Sequence, residues 1–244
     1  MGRAAALLAV AAALVAWYEL APDASPWSLW PSILLIALVL IPATFLLVWL
    51  ALPLWREPWA HLAAAGGAIF GLTVLLGSLG FHSAANLGKV AFVTLLAWAF
   101  LTAFDRVSWV VLVALLIPWV DAYSVWKGPT KQITEGHEQV FGALSIVFLA
   151  PGGGYARLGL PDVAFFALFL AASVRFDLRP RATWIGLSAG LALTMILATW
   201  WDVSGLPALP GLSLGFLVPN ADLLWRRLRG PGFFTEGSDR SAAA

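Results

Sequence analysis

The sequence predicts an all-α polytopic membrane protein with about eight transmembrane helices. Hydrophobic residues make up 61% of the 244-residue chain and charged residues only 11%, whereas a soluble domain carries about a quarter charged residues. The apolar residues fall in runs close to the roughly 20 residues that cross a bilayer. Tryptophans flank several of those runs (Trp27, Trp30, Trp55, Trp59, Trp126, Trp225), the place of an interfacial aromatic belt.

The runs, in order, cover residues 4–21, 30–53, 59–80, 86–104, 107–126, 158–175, 182–201 and 206–225. The first follows Arg3 and has the look of a signal peptide, but Trp17, Tyr18 and the lack of a clean A-x-A site favour a retained anchor. The fourth contains Lys89 near its start, where a long stem can snorkel outward. Between the fifth and sixth runs lies one long connection, Lys127 to Arg157. It opens polar and becomes apolar over Gln139 to Phe148, a stretch too short to span. That stretch reads as a strand, an interfacial segment or a re-entrant piece. Pro151-Gly152-Gly153-Gly154 then reads as a flexible break. Residues 1–229 form a single transmembrane domain in this reading, with N-terminal helices in 1–104 and a second group in 105–229. The polar, Gly/Ser/Ala-rich stretch 230–244 reads as a disordered tail.

Composition also narrows function. A net charge of +1 implies no nucleic-acid partner. The absence of Cys removes disulfides, thiolate metal sites and Cys nucleophiles. His61, His82 and His137 lack zinc-binding spacing, so neither a metal nor another cofactor is expected. Basic residues set the orientation. With eight spans, one side holds Arg3, Arg56, Arg106, Arg175, Arg179, Arg181, Arg226, Arg227, Arg229 and Arg240, and the other only Lys89, Lys127, Lys131 and Arg157. Both termini are therefore expected in the cytoplasm, with the long connection outside.

Against this background two acids stand out, because ionisable groups inside a membrane segment are costly and usually functional. Asp121 lies six residues before Lys127, and Asp162 lies five residues after Arg157. At 1.5 Å per residue they sit ~9 Å and ~7.5 Å inside their charged flanks, on the same side of the membrane. Pro207-Ala208-Leu209 begins five residues after Asp202, at a similar depth of ~7.5 Å. Taken singly, Asp121 is a helix-end acid lifting toward water, Asp162 a helix-start acid favoured by the macrodipole, and Pro207 an ordinary helix-start proline. Taken as a pair, two carboxylates within reach of one water suit aspartyl hydrolysis. They share a proton; the ionised one takes a proton from water and the protonated one donates to the scissile carbonyl.

Val120-Asp121-Ala122-Tyr123-Ser124-Val125-Trp126-Lys127 resembles the first aspartate motif of the presenilin and signal-peptide-peptidase superfamily, and within it the archaeal members. Gly159-Leu160-Pro161-Asp162 resembles the second motif, GxGD, and Pro207-Ala208-Leu209 the third, PAL. The motifs occur in the family's order, and the resemblance covers about residues 107–225. Two departures stand in it: Val120 occupies a position that is usually Tyr, and Pro161 replaces the second Gly of GxGD. The family usually shows nine spans, against the eight counted here. The resemblance implies a presenilin-like bundle and an intramembrane aspartyl endopeptidase, with Asp121 and Asp162 catalytic. It implies contacts to substrate from Gly159, Leu160, Pro161, Pro207, Ala208 and Leu209. Its partners would be transmembrane segments of other proteins within the lipid bilayer, one of which could pair as a strand along Gln139 to Phe148. The alternatives are a prepilin-peptidase-like aspartyl protease, an ion-coupled transporter and a catalytically lapsed homologue that binds membrane partners.

Overall fold

A computed structural model describes residues 2–127, 142–203 and 206–229. The expected tail, the polar opening of the long connection, residues 139–141 and residues 204–205 lie outside the described residues. The helices are α1 (Gly2–Leu20), α2 (Leu29–Arg56), α3 (Trp59–Ser78), α4 (His82–Leu101), α5 (Val107–Lys127), α6 (Leu160–Arg175), α7 (Pro180–Trp200) and α8 (Leu209–Arg229). Six of them, α1 to α5 and α7, are long and apolar enough to cross a membrane. Helix α6 has 16 residues, ~24 Å of rise. Helix α8 has the length, but Asp222, Arg226 and Arg227 make its C-terminal end polar. In α2 the π-helical turn Ile36–Leu40 stands just before Pro42. Regular α geometry there would drive the proline ring into the carbonyl one turn back.

The short helix is the centre of the molecule. Val163 and every residue of α6 from Phe166 to Ser173 are buried, as expected of a helix that is apolar all round and enclosed by others. Helices α4, α7 and α8 pack around it. Phe169 stacks on Phe216 of α8 (4.9 Å, 14°), Phe166 stacks on Phe45 of α2 (3.8 Å, 18°), and Trp98 Nε1 of α4 donates to the Ala167 carbonyl at 3.1 Å.

The long connection contributes a feature outside the all-α expectation. Strands β1 (Ser145–Leu149) and β2 (Tyr155–Gly159) form an antiparallel ribbon in which Val147 faces Arg157 and Ser145 faces Gly159. The strand alternative for Gln139 to Phe148 therefore holds over Ser145–Phe148, and the run expected to open a helix at 158 is strand until Gly159. The Pro151–Gly154 segment is a tight turn rather than a flexible break. Gly152 and Gly153 both take positive φ, which suits residues without a Cβ. A Cβ at Gly152 would fall 2.4 Å from Pro26 Cα, and the Gly152 N–H donates to the Ala21 carbonyl.

Non-helical backbone packed inside a helix bundle must find partners within the protein, and the outer edge of β1 does so through side chains. Asn86 mimics a strand: its Nδ2 donates to the Val147 carbonyl and its Oδ1 accepts the Val147 N–H, both at 2.8 Å. Trp17 Nε1 donates to the Leu149 carbonyl at 2.9 Å. Lys89 corrects an expectation. Instead of snorkelling outward, its Nζ donates to the carbonyls of Gly142 (2.6 Å) and Ser145 (2.8 Å).

Helices α7 and α8 cross on glycine. Gly186 and Gly190 of α7 face Gly215 and Gly211 of α8 so closely that a Cβ at Gly190 would lie 2.3 Å from the Gly211 carbonyl oxygen. A Cβ at Gly215 would lie 2.4 Å from that of Gly186. This is the small-xxx-small contact of membrane helices. At the N-terminal end of α7 the same pair is tied by Arg179, which holds both Asp222 oxygens at 2.6 and 2.7 Å. Arg226, one turn further along α8, also pairs with Asp222, at 3.7 Å. Gly190→Ala is expected to destabilise the purified protein by about 1–3 kcal/mol through overpacking. Gly67→Ala, where a Cβ meets nothing within 4 Å, should stay within about 0.5 kcal/mol. Thermal unfolding in detergent measures both.

Candidate active site

Helix α5 contains Pro118, one turn before Asp121. Trp119, Val120 and Tyr123 are exposed on the outer face of the helix, whereas Asp121 is half-buried. Its carboxylate reaches the start of α8. Asp121 Oδ2 accepts the Leu209 N–H at 2.9 Å, and the Ala208 N–H also interacts with the carboxylate. Leu209 is the first residue of α8, and the first amides of a helix have no partner within it. Pro207 has no N–H of its own to satisfy. Asp121 thus serves α8 as an N-cap supplied by another helix, with its negative charge at the positive end of the dipole.

Asp162 is built by a similar device. Gly159 occupies the N-cap position of α6 with extended φ/ψ (−63°, 146°) and no side-chain cap. Asp162, three residues on, turns back so that its carboxylate interacts with the Gly159 amide. That is the returning half of a capping box. Gly159 keeps the space open: a Cβ there would lie 3.2 Å from Asp162 Oδ2. Pro161 falls in the first turn, where its missing N–H costs nothing, and it is exposed.

Three of the expected features therefore meet. The Asp121 and Asp162 carboxyl groups lie within Coulombic range of each other, and Leu209 is bonded to the first of them. Gly159 and Pro161 adjoin Asp162. Leu160 opens α6, and its N–H donates to the Leu144 carbonyl at 2.9 Å beside the ribbon. Pro207 and Ala208 are half-buried in the extended lead into α8. Among the described residues no three His, Asp or Glu side chains group together.

Compared with protein-family models and with curated proteins, the chain matches none. The site is therefore read from its own atoms. It offers two half-buried carboxyl groups at one level, each oriented by the backbone amides of a helix start. Such a pair can accept protons, hold a water and donate a hydrogen bond. It can also do no more than cap α6 and α8.

Several residues that position the site were not singled out from the sequence: Asn86, which holds the ribbon, and Gly186, Gly190, Gly211 and Gly215, which set the α7–α8 approach. The two Gly-x-x-x-Gly spacings were a visible signal for the latter. Asn86 carried no signal beyond being an amide in an apolar run. The capping geometry has a direct test. Asp121→Ala strips the acceptor from the start of α8 and is expected to cost about 1 kcal/mol of stability. Asp121→Asn, which keeps a carbonyl oxygen for the Leu209 N–H, should cost clearly less in the same detergent unfolding measurement.

Proposed function

We propose that the protein is an intramembrane aspartyl endopeptidase that hydrolyses peptide bonds within transmembrane segments of other proteins. The observation that carries this reading is the approach of Asp121 and Asp162 at the start of α8. The ordered resemblance of their sequence surroundings to the presenilin and signal-peptide-peptidase motifs supports it. In this reading α6 and α8 also lie across the bilayer, for eight spans in all, with both termini in the cytoplasm.

The two acids hold one proton between them. The ionised carboxylate removes a proton from a water as the water oxygen attacks the scissile carbonyl carbon. The protonated carboxyl gives its proton to the carbonyl oxygen, which leaves a gem-diol. Collapse of the diol returns a proton to the pair, the second goes to the leaving nitrogen, and the C–N bond breaks. Titration belongs to the pair, so neither residue is assigned as acid or base alone. Backbone amides that fix both carboxylates in advance favour such chemistry, because orientation is then not lost at each turnover.

A substrate helix must unwind locally to expose a peptide bond, and its freed backbone groups then need partners. The edge assigned to this role from the sequence, Gln139 to Phe148, is corrected here. Its stretch Ser145–Phe148 lies in β1, whose outer edge is engaged by Asn86, Lys89 and Trp17. We assign the incoming strand to the β2 side of the ribbon, which leads through Gly159 directly to Asp162.

The capping bonds favour a second reading, in which both acids only hold helix starts and the protein binds membrane partners without cutting them. A fluorogenic transmembrane peptide in liposomes separates the two. The wild type should cleave it, and Asp121→Asn and Asp162→Asn should each lower the rate by about 10²–10⁴-fold while remaining folded. Cleavage that persists in both variants, or no cleavage by a folded wild type, would reject the protease reading. The orientation is checked separately, since the chain has no Cys. An impermeant maleimide applied to intact cells should label Asp202→Cys at one end of α7 and leave Arg181→Cys at the other end unlabelled.

A further inference from the structure

Away from the two acids, a cavity of about 800 Å³ lies between α3, α4, the end of α1 and the β1 side of the ribbon. Its size and lining fit a small-molecule site: mostly hydrocarbon with a few polar groups. The walls include Phe70, Val74, Gly77 and Phe92. Phe70 and Val74 are more than half exposed, so this side of α3 opens toward the lipid phase.

One charge reaches into this cavity. Lys89 lines it, spends two of its three N–H donors on the Gly142 and Ser145 carbonyls, and lies within Coulombic range of a second cation, Arg157. Among the described residues no carboxylate is within ion-pair distance of Lys89. Glu19, at the end of α1, is instead bonded by Ser83. A lysine in an apolar wall next to another cation calls for an anion.

We propose that this cavity holds an acyl chain of an anionic phospholipid, with the lipid phosphate at Lys89. The choice of a lipid over a peptide follows from the walls. A peptide brought into the cavity would carry backbone N–H and C=O groups that need partners. The adjacent strand edge is already occupied by Asn86, Lys89 and Trp17. The acyl chain brings no such groups, and the lipid phosphate supplies a negative charge that no described residue places at Lys89. Lys89 also holds two ribbon carbonyls, so the lipid would brace the ribbon that leads to Asp162. The site itself is independent of any hydrolytic activity.

The test uses the full chain purified in detergent, stripped of lipid and then offered phosphatidylglycerol or phosphatidylcholine in mixed micelles, with bound lipid counted by native mass spectrometry. The wild type should retain phosphatidylglycerol about five-fold better, the preference expected of one lysine facing anionic lipid. Lys89→Met should take both lipids alike. Gly77→Phe should lose both, because a side chain there meets only Ala85 Cβ, at 3.9 Å, before it fills the cavity. Thermal unfolding confirms that each variant is folded; if Lys89→Met is not, Gly77→Phe decides alone. Equal retention of the two lipids by the wild type would overturn the proposal. So would undiminished phosphatidylglycerol on Gly77→Phe, or displacement of the lipid by a single-span peptide.

Discussion

Backbone that leaves helical geometry inside a helix bundle must find hydrogen-bond partners within the protein, and this constraint organises the molecule. The chain leaves helical geometry at two places near the acids: in the β1–β2 ribbon and in the extended lead into α8. Each is satisfied by side chains from elsewhere. Asn86, Lys89 and Trp17 close the outer edge of β1, and Asp121 closes the first amide of α8. Polar residues that look anomalous in apolar runs are thus the ones that permit irregular backbone within the bundle. Losing one leaves a backbone group without its partner, at a cost of about 1–3 kcal/mol.

Packing then converts these local bonds into a fixed site. The glycine crossing lets α7 and α8 approach backbone to backbone, so Leu209 is held by a contact that cannot slide without collision. The Arg179–Asp222 pair sits at the exposed end of the same two helices, where a solvated ion pair contributes little by itself; the glycine contact is the stronger restraint. Helix α6 is locked from the other side by Phe166 on Phe45 and Phe169 on Phe216. The positions of Asp121 and Asp162 therefore follow from two different helix packings that meet at α8.

The helices were largely legible in the sequence, because hydropathy alone marks a span and needs no knowledge of neighbours. So were Asp121, Asp162 and Pro207 as positions of note, since each interrupts an apolar pattern. What escaped was whatever depends on contact across the chain. Asn86 and Val147 are 61 residues apart, and nothing local to either announces the other. Lys89 was read as snorkelling because that is what a lone lysine near a span end does. The ribbon offers it two carbonyls instead, and the ribbon itself was only one of three readings for Gln139 to Phe148. Strand β2 was hidden for a related reason: Tyr155 to Gly159 is short and continuous with the apolar run of α6, so no composition change marks its end.

The same capping logic bears on how a hydrolytic pair could arise in such a bundle. A carboxylate at a helix start is stabilised by amides that the fold must satisfy anyway, so an acid there is tolerated before it has any catalytic use. Asp162 caps its own helix and Asp121 caps a foreign one. Bringing those two helix starts to one level places two acids side by side without either being an unpaired charge in hydrocarbon. Catalysis would then require only that water and a peptide bond reach them. The amides that orient each carboxylate would serve function with no change of structure. Capping thus explains why acids are tolerated at these two helix starts, whether or not their proximity is put to catalytic use.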